Sequence, residues 1–247
     1  MTTELAPKRK MVDIHMHLIP GIDDGAEDME MALVMVLQAR RQGISRIVVT
    51  PHSEAFHFSK EDGRARFQRL ADVMRALCPE VKLYLGCEVY CEAPIMTEVL
   101  ELLDSKFYPT MNGTNYVLME FSQWVYPENT VPCITALTGA GYIPIVAHME
   151  RYQHLREHME LVAQLRELGA KVQVTSTSLQ GETDESIKNW ARQLVLARMV
   201  DFLGTDAHKT WFRAPNAEDA LNWLYENVDR AYADAVTREN ANRLLCI

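Results

Sequence analysis

The 247 residues are 48% hydrophobic and 24% charged, and 25 Lys and Arg against 34 Asp and Glu leave a formal net charge of −9. This composition suits a folded globular chain and argues against disordered, collagenous and coiled-coil classes, while the acidic balance disfavours a nucleic-acid partner. The longest apolar runs, such as 31–37, fall far short of the roughly 20 residues a membrane span needs, and no signal-peptide core follows the charged first ten residues, so the expectation is a cytoplasmic chain.

Residues 1–10 read as a flexible extension and 11–247 as one domain, because no stretch rich in Pro, Gly or Ser interrupts them. The first predicted strand is 11–16. A helix follows at 29–41, where Met29, Ala32, Leu33, Val36 and Leu37 form one stripe and Gly43 supplies the stop. Further strands are predicted at 46–50, 81–86, 116–121, 143–147, 172–175 and 201–204. The helices expected between and after them span 60–77, 95–104, 130–140, 155–168, 184–199, 216–227 and 237–245. Such alternation predicts an α/β chain with a buried parallel sheet, and seven strands favour a closed (β/α) barrel over an open doubly wound sheet. In both architectures function collects at the carboxyl ends of the strands.

Those ends carry the informative residues. His15 and His17 lie two apart on the first strand, so they can face one ion. Later strand ends bring Asp24 after the first, His52 after the second, Glu88 after the third, Glu120 after the fourth, His148 after the fifth, and Asp206 with His208 after the seventh. Carboxylates at strand ends commonly cap the next helix, and any single pair would mean little. Their convergence on one rim is a different matter, because unpaired buried charges cost several kcal/mol each and divalent cations remove that cost. Nitrogen and oxygen donors without thiolate suit Mn, Fe or Zn, and nine donors suffice for two or three ions.

The five cysteines, Cys78, Cys87, Cys91, Cys133 and Cys246, include no C-x-x-C pair, and the bland reading is reduced, mostly buried thiols. None is followed six positions later by Arg, so the Cys-x5-Arg loop of cysteine-dependent phosphatases is absent.

In sequence order, Asp-x-His-x-His, Asp-Asp-Gly, Thr-Pro-His, Gly-x-Glu, a Glu after the fourth strand, Ala-His-x-Glu-Arg and Asp-Ala-His resemble the PHP (polymerase and histidinol phosphatase) family. The stretches 19–25 and 147–151 are closer still to its branch of bacterial metal-dependent protein-tyrosine phosphatases, associated with capsule and exopolysaccharide synthesis. The resemblance spans about 11–246. It implies a distorted (β/α)7 TIM-like barrel and a trinuclear site, usually of manganese or iron. It also implies a ligand division: His15, His17, Glu88 and Asp206 on a first metal, Glu88 bridging to a second held with Glu120 and His148, and Asp24, His52 and His208 on a third. Three 2+ ions against four ionised carboxylates leave about +2 at the rim, a field suited to a phosphate dianion. Arg151 and Arg213 match phosphate-gripping arginines of the branch, and a guanidinium fork suits phosphate oxygens.

The reaction implied is hydrolysis of a phosphotyrosine protein by a metal-bridging hydroxide, with Arg151, Arg213 and the third ion holding the other oxygens. Asp206 and His208 are the candidates for any proton transfer, although ligands make poor acids. A bacterial tyrosine autokinase tail is the implied partner. The alternatives are a histidinol-phosphate or other small-molecule phosphatase, a PHP-type exonuclease, and a non-catalytic metal-binding regulator. Three positions depart from the pattern: Met149 replaces a usual Pro, Ser53 a second His or an Arg, and Lys209 an Asn, all expected around the substrate mouth. Trp124 with Tyr126, and Trp211 with Phe212, either flank an aromatic substrate there or pack over the barrel top. Glu150 reads as an orienting carboxylate or a helix-start carboxylate. His57, His154 and His158 read as surface groups outside the ligand pattern, and the methionines as core filler.

Overall fold

A computed structural model of the chain describes residues 9–58, 60–181 and 184–247. Runs of Val, Ile, Leu and Met without a polar face suit strands covered on both sides. Among the described residues these runs form β1 (Met11–Met16), β2 (Ile44–Val49), β3 (Lys82–Leu85), β4 (Glu88–Tyr90), β5 (Tyr116–Glu120), β6 (Ile143–Val146), β7 (Lys171–Thr175) and β8 (Phe202–Gly204). Every ladder is parallel, in the orders β1-β2-β3 and β4-β5-β6-β7-β8.

Two links join these sheets into a ring. Past the end of β8, Ala207 bridges Met16, with His17 N–H donating to the Ala207 carbonyl at 3.0 Å and Asp206 N–H to the His15 carbonyl at 2.8 Å. Past the end of β2, His52 bridges Glu88, and Ser53 N–H donates to the Glu88 carbonyl at 2.8 Å. The lower half of the third barrel position is therefore β3, bonded to β2, and its upper half is β4, bonded to β5. This is the closed barrel, and the open sheet is ruled out. The single strand expected at 81–86 is corrected to a broken one, which breaks at Gly86 and Cys87. A Cβ on Gly86 would come within 2.8 Å of Met111 Sδ and 3.0 Å of Val48 Cγ1, so the kinked chain lies against packed side chains.

The helices that cover the barrel are α1 (Met29–Arg41), α2 (Glu54–Phe58), α3 (Lys60–Leu77), α4 (Met96–Asp104), α5 (Pro127–Gly139), α6 (Met159–Glu167), α7 (Ser176–Gln180), α8 (Glu185–Leu196), α9 (Glu218–Asn227), α10 (Arg230–Asp234) and α11 (Asn240–Leu244). α1 has the predicted bounds, with Asp28 accepting from Met31 N–H and Arg40 and Arg41 in its last turn. α5 starts earlier than expected because Pro127 takes its first turn, where a missing N–H costs nothing. A π-helical turn at Ala235–Glu239 joins α10 to α11, so the last helical stretch begins well before 237. None of the described helices is long and apolar enough to cross a membrane.

Inside the ring Val12, Ile14, Val48, Leu118, Ile145 and Phe202 cluster with Leu244 and Leu245, so the C-terminal helix helps fill the barrel. A register irregularity between Asp13 and Met16 coincides with a switch of facing: Ile14 joins this inner cluster, yet the next residue, His15, also turns its ring inward. Residues 1–8 of the expected extension lie outside the described residues. Arg9 is held against α9, donating to the Leu221 carbonyl at 2.9 Å.

Candidate metal centre

At the carboxyl end of the barrel the structure brings all nine predicted donors together. His15 Nε2 stands 3.2 Å from Glu88 Oε1 and 3.3 Å from Asp206 Oδ1, and His17 Nε2 stands 3.3 Å from Glu88 Oε2 and 3.4 Å from Asp206 Oδ1. Four donors about 2.1 Å from one ion sit about 3.4 Å apart at the corners of a tetrahedron, so these separations have the size of a coordination shell. Beyond Glu88, His148 Nε2 approaches Glu88 Oε1 at 2.9 Å and Glu120 Oε2 at 3.7 Å. On the third side Asp24 Oδ1 lies 3.2 Å from His208 Nε2 and 3.4 Å from His52 Nε2. His52 is placed more centrally than its expected third-site role, because its Nδ1 also stands 3.1 Å from both Glu88 Oε2 and Glu120 Oε1. Three overlapping donor groups result: His15, His17, Glu88 and Asp206; His52, Glu88 and Glu120; His17, Asp24, His52 and His208.

Hydrogen bonds behind the rings decide where the protons sit. Gln173 Oε1 accepts the His148 backbone N–H at 2.9 Å, which fixes the amide orientation, so at 3.2 Å His15 Nδ1 must be the donor. Asp23 Oδ2 accepts from His17 Nδ1 at 2.9 Å, and the Asp206 carbonyl accepts from His208 Nδ1 at 2.9 Å. A neutral imidazole protonated at Nδ1 aims a lone pair from Nε2. The Nε2 atoms of His15 and His17 are 3.2 Å apart, so two lone pairs would meet there with nothing between them. Glu88 Oε2, Asp206 Oδ1 and His208 Nε2 are likewise buried without a hydrogen-bond partner. Such an arrangement is repulsive unless protons or metal cations occupy it, and the residues fit two or three divalent ions.

Asp23 and Gln173 are functional residues that the ligand pattern misses. Asp23 stands beside the predicted ligand Asp24, and Gln173 is the one amide in the Val-Gln-Val-Thr run of β7, a polar intrusion that points to it. Replacing Gln173 with Leu strands two buried N–H donors, which costs about 1–3 kcal/mol, and frees the His15 ring. The expected result is a metal affinity about 10–100-fold weaker, read by titration of the metal-free protein, with a lowered melting temperature.

Electrostatics follow the same geometry. Burial alone would raise the Glu88 carboxyl, but the surrounding imidazoles of His15, His148 and His17 hold it well below the usual range. Asp206 is also lowered, with burial outweighed by Arg151, His15, His17 and Arg213. Burial opposes protonation of His148, yet hydrogen bonds to Glu120 and Glu88 raise it to about 9. Asp24 is lowered chiefly by the His208 and His52 imidazoles beside it. Arg151 and Arg213 both donate to Asp206 Oδ2, the oxygen that faces away from His15 and His17. Two guanidinium groups thus meet at the edge of the donor cluster. His148, Asp206 and Arg213 have φ of +34°, +52° and +48°, a left-handed backbone that non-glycine residues avoid and that concentrates at functional sites.

The departures from the expected pattern have structural explanations. Met149 is fully buried and Ser53 nearly so, with Ser53 Oγ accepting Tyr90 N–H at 3.1 Å, so neither lies at the mouth as expected. Lys209 reaches across to the Asp24 loop and donates to the Gly25 carbonyl and Glu27 Oε1, each at 2.9 Å. Glu150 serves the start of α7, accepting from Thr175 N–H at 3.0 Å and Ser178 Oγ at 2.8 Å, which favours the helix-start reading. His57 bonds Tyr108, His154 stacks on Tyr126 and His158 pairs with Glu160, all apart from the cluster. Trp124, Tyr126, Trp211 and Phe212 are exposed, so packing over the barrel top is excluded for them. Cys78, Cys87, Cys91 and Cys133 are buried, and Cys246 is exposed.

A family model for capsular polysaccharide synthesis, CpsB/CapC, matches residues 11–246. The chain belongs to the CpsB/CapC family. Among relatives of this CpsB/CapC protein, the tyrosine-protein phosphatase YwqE of Bacillus subtilis is 33% identical over 235 residues, covering 95% of this chain and 91% of YwqE. A crystal structure described with YwqE from Bacillus subtilis and CpsB from Streptococcus pneumoniae, as unique metal-dependent tyrosine phosphatases, superposes with a TM-score of 0.85 at 31% identity, covering 96% of this chain and 94% of that one. A β-aspartyl dipeptidase from Fervidobacterium islandicum shares only the fold, with a TM-score of 0.58 at 13% identity over 95% of this chain and 72% of that one.

Proposed function

We propose that this CpsB/CapC protein is a metal-dependent protein-tyrosine phosphatase whose ions are held by His15, His17, Asp24, His52, Glu88, Glu120, His148, Asp206 and His208. The observation that carries the reading is the convergence of lone pairs from His15, His17, Glu88 and Asp206, with the imidazole protons of His15 and His17 committed to Gln173 and Asp23 on the far side. We take manganese as the metal, with iron or zinc as the alternatives that the same imidazole and carboxylate donors admit. Bound divalent ions supply positive charge that favours ionised water near neutral pH and attracts phosphoryl oxygens.

The chain's own residues do the rest. Arg151 and Arg213 offer planar donors at the cluster edge to phosphoryl oxygens, and they are in place before substrate arrives because Asp206 holds both. Asp206 is thereby committed twice, as donor to an ion and as anchor to the arginines, and this argues against its acting as a proton donor. Burial raises the Cys87 and Cys91 thiols well above their ordinary range, so neither is poised as a nucleophile and direct attack by water is the favoured route. A tyrosyl leaving group, with a pKa of about 10, departs without a strong general acid. The substrate we assign is a phosphotyrosine protein in the cytoplasm, specifically the phosphorylated tail of a bacterial tyrosine autokinase.

Turnover of a phosphotyrosine peptide should fall to background on chelation and return when manganese is added back. Histidinol phosphate should be a poor substrate under the same conditions. A strong preference for histidinol phosphate, or full activity in chelator, would overturn the reading.

A further inference from the structure

An open groove lies between the loops that follow β4 and β5. It has a volume of about 300 Å³ and is lined in part by Glu92, Pro94, Phe121, Trp124, Tyr126 and Asn129. It opens beside the strand ends that carry Glu88 and Glu120: Phe121 follows Glu120, and Cys91 N–H donates to the Glu120 carbonyl at 2.9 Å. Trp124 is 62% exposed and Tyr126 52%, yet neither sits on a loose loop. Trp124 N–H donates to Ser122 Oγ at 3.3 Å and Val125 N–H to the Ser122 carbonyl at 2.9 Å, which makes a closed turn with the indole outside it. The Tyr126 ring is stacked on His154, with centroids 4.2 Å apart and planes 15° apart. Gln153 N–H donates to the Gln123 carbonyl at 2.9 Å, which ties this turn to the segment that carries Arg151.

Large aromatic side chains held rigidly in water, beside a charged site, have the character of a recognition surface. An ester bound by its phosphate at the cluster must direct its aryl ring and the attached peptide outward over this rim. The neighbouring residue of an extended peptide lies only about 3.4 Å further along the chain. We infer that the groove receives an apolar side chain adjacent to the phosphotyrosine, so that Trp124 and Tyr126 select peptide substrates over small aryl phosphates. This inference rests on the tyrosine-phosphatase reading.

The test compares manganese-loaded wild type with Trp124→Ser and Tyr126→Ser. The substrates are p-nitrophenyl phosphate and two phosphotyrosine peptides that carry either leucine or glycine on both sides of the phosphotyrosine. Wild type should favour the leucine peptide about tenfold in kcat/KM, through KM, and each substitution should erase most of that preference. Because both side chains are exposed, the variants should melt with wild type. A wild type that treats the two peptides alike, or variants that keep its preference, would overturn the groove assignment and leave the phosphatase reading standing. A wild type that hydrolyses p-nitrophenyl phosphate but neither peptide would overturn both.

Discussion

Glu88→Gln should lose both metal and activity, with kcat/KM for a phosphotyrosine peptide reduced more than about a hundredfold. Glu88 is the hub of the cluster: its two oxygens face His15, His17, His52 and His148 within 2.9–3.3 Å. Side chains that merely orient a ligand cost about 10–100-fold in affinity or activity when changed, and the shared carboxylate of two donor groups should cost more. The amide keeps the shape but removes the charge and presents N–H groups to imidazole lone pairs. Elemental analysis of the purified variant should therefore show fewer ions per chain than wild type. Full metal content with normal turnover would mean that Glu88 is only a buried partner of histidines.

Arg151→Lys should lower kcat/KM by about 10²–10³-fold while leaving metal content unchanged. Lysine keeps a positive charge near Asp206 but has no fork with which to hold two phosphoryl oxygens. Arg213→Lys should cost less, since Arg213 is 29% exposed against 16% for Arg151 and is better screened by water. Because both guanidinium groups hold the same oxygen of Asp206, the double substitution should cost less than the product of the two. Inorganic phosphate should also inhibit the variants less strongly. Loss of metal in Arg151→Lys would instead assign the arginine to support of Asp206.

The barrel was legible because most of its strands are largely apolar runs followed by a polar residue, as at Val146 before Ala147 and His148. The amphipathic stripe of α1 was equally clear. What sequence could not foresee were features set by packing across the fold. The break at Gly86 depends on Met111 and Val48, and the switch of facing after Ile14 depends on pairing with β2. Within the site the ligand types and spacing exposed the nine donors, but not the roles of adjacent carboxylates. Asp23 turns back to His17 and Asp24 turns out to His52 and His208, a division made by the loop and not by the residue type. Likewise, His52 faces two donor groups only because both of its ring nitrogens are flanked by carboxylates.

The most direct test is anomalous scattering from crystals of the protein loaded with manganese. The account predicts two or three peaks at the carboxyl end of the barrel, each roughly 2.0–2.3 Å from the imidazole and carboxylate atoms named for it, one of them enclosed by His15, His17, Glu88 and Asp206. Peaks only at other places, or none in a protein that still hydrolyses phosphotyrosine, would contradict it.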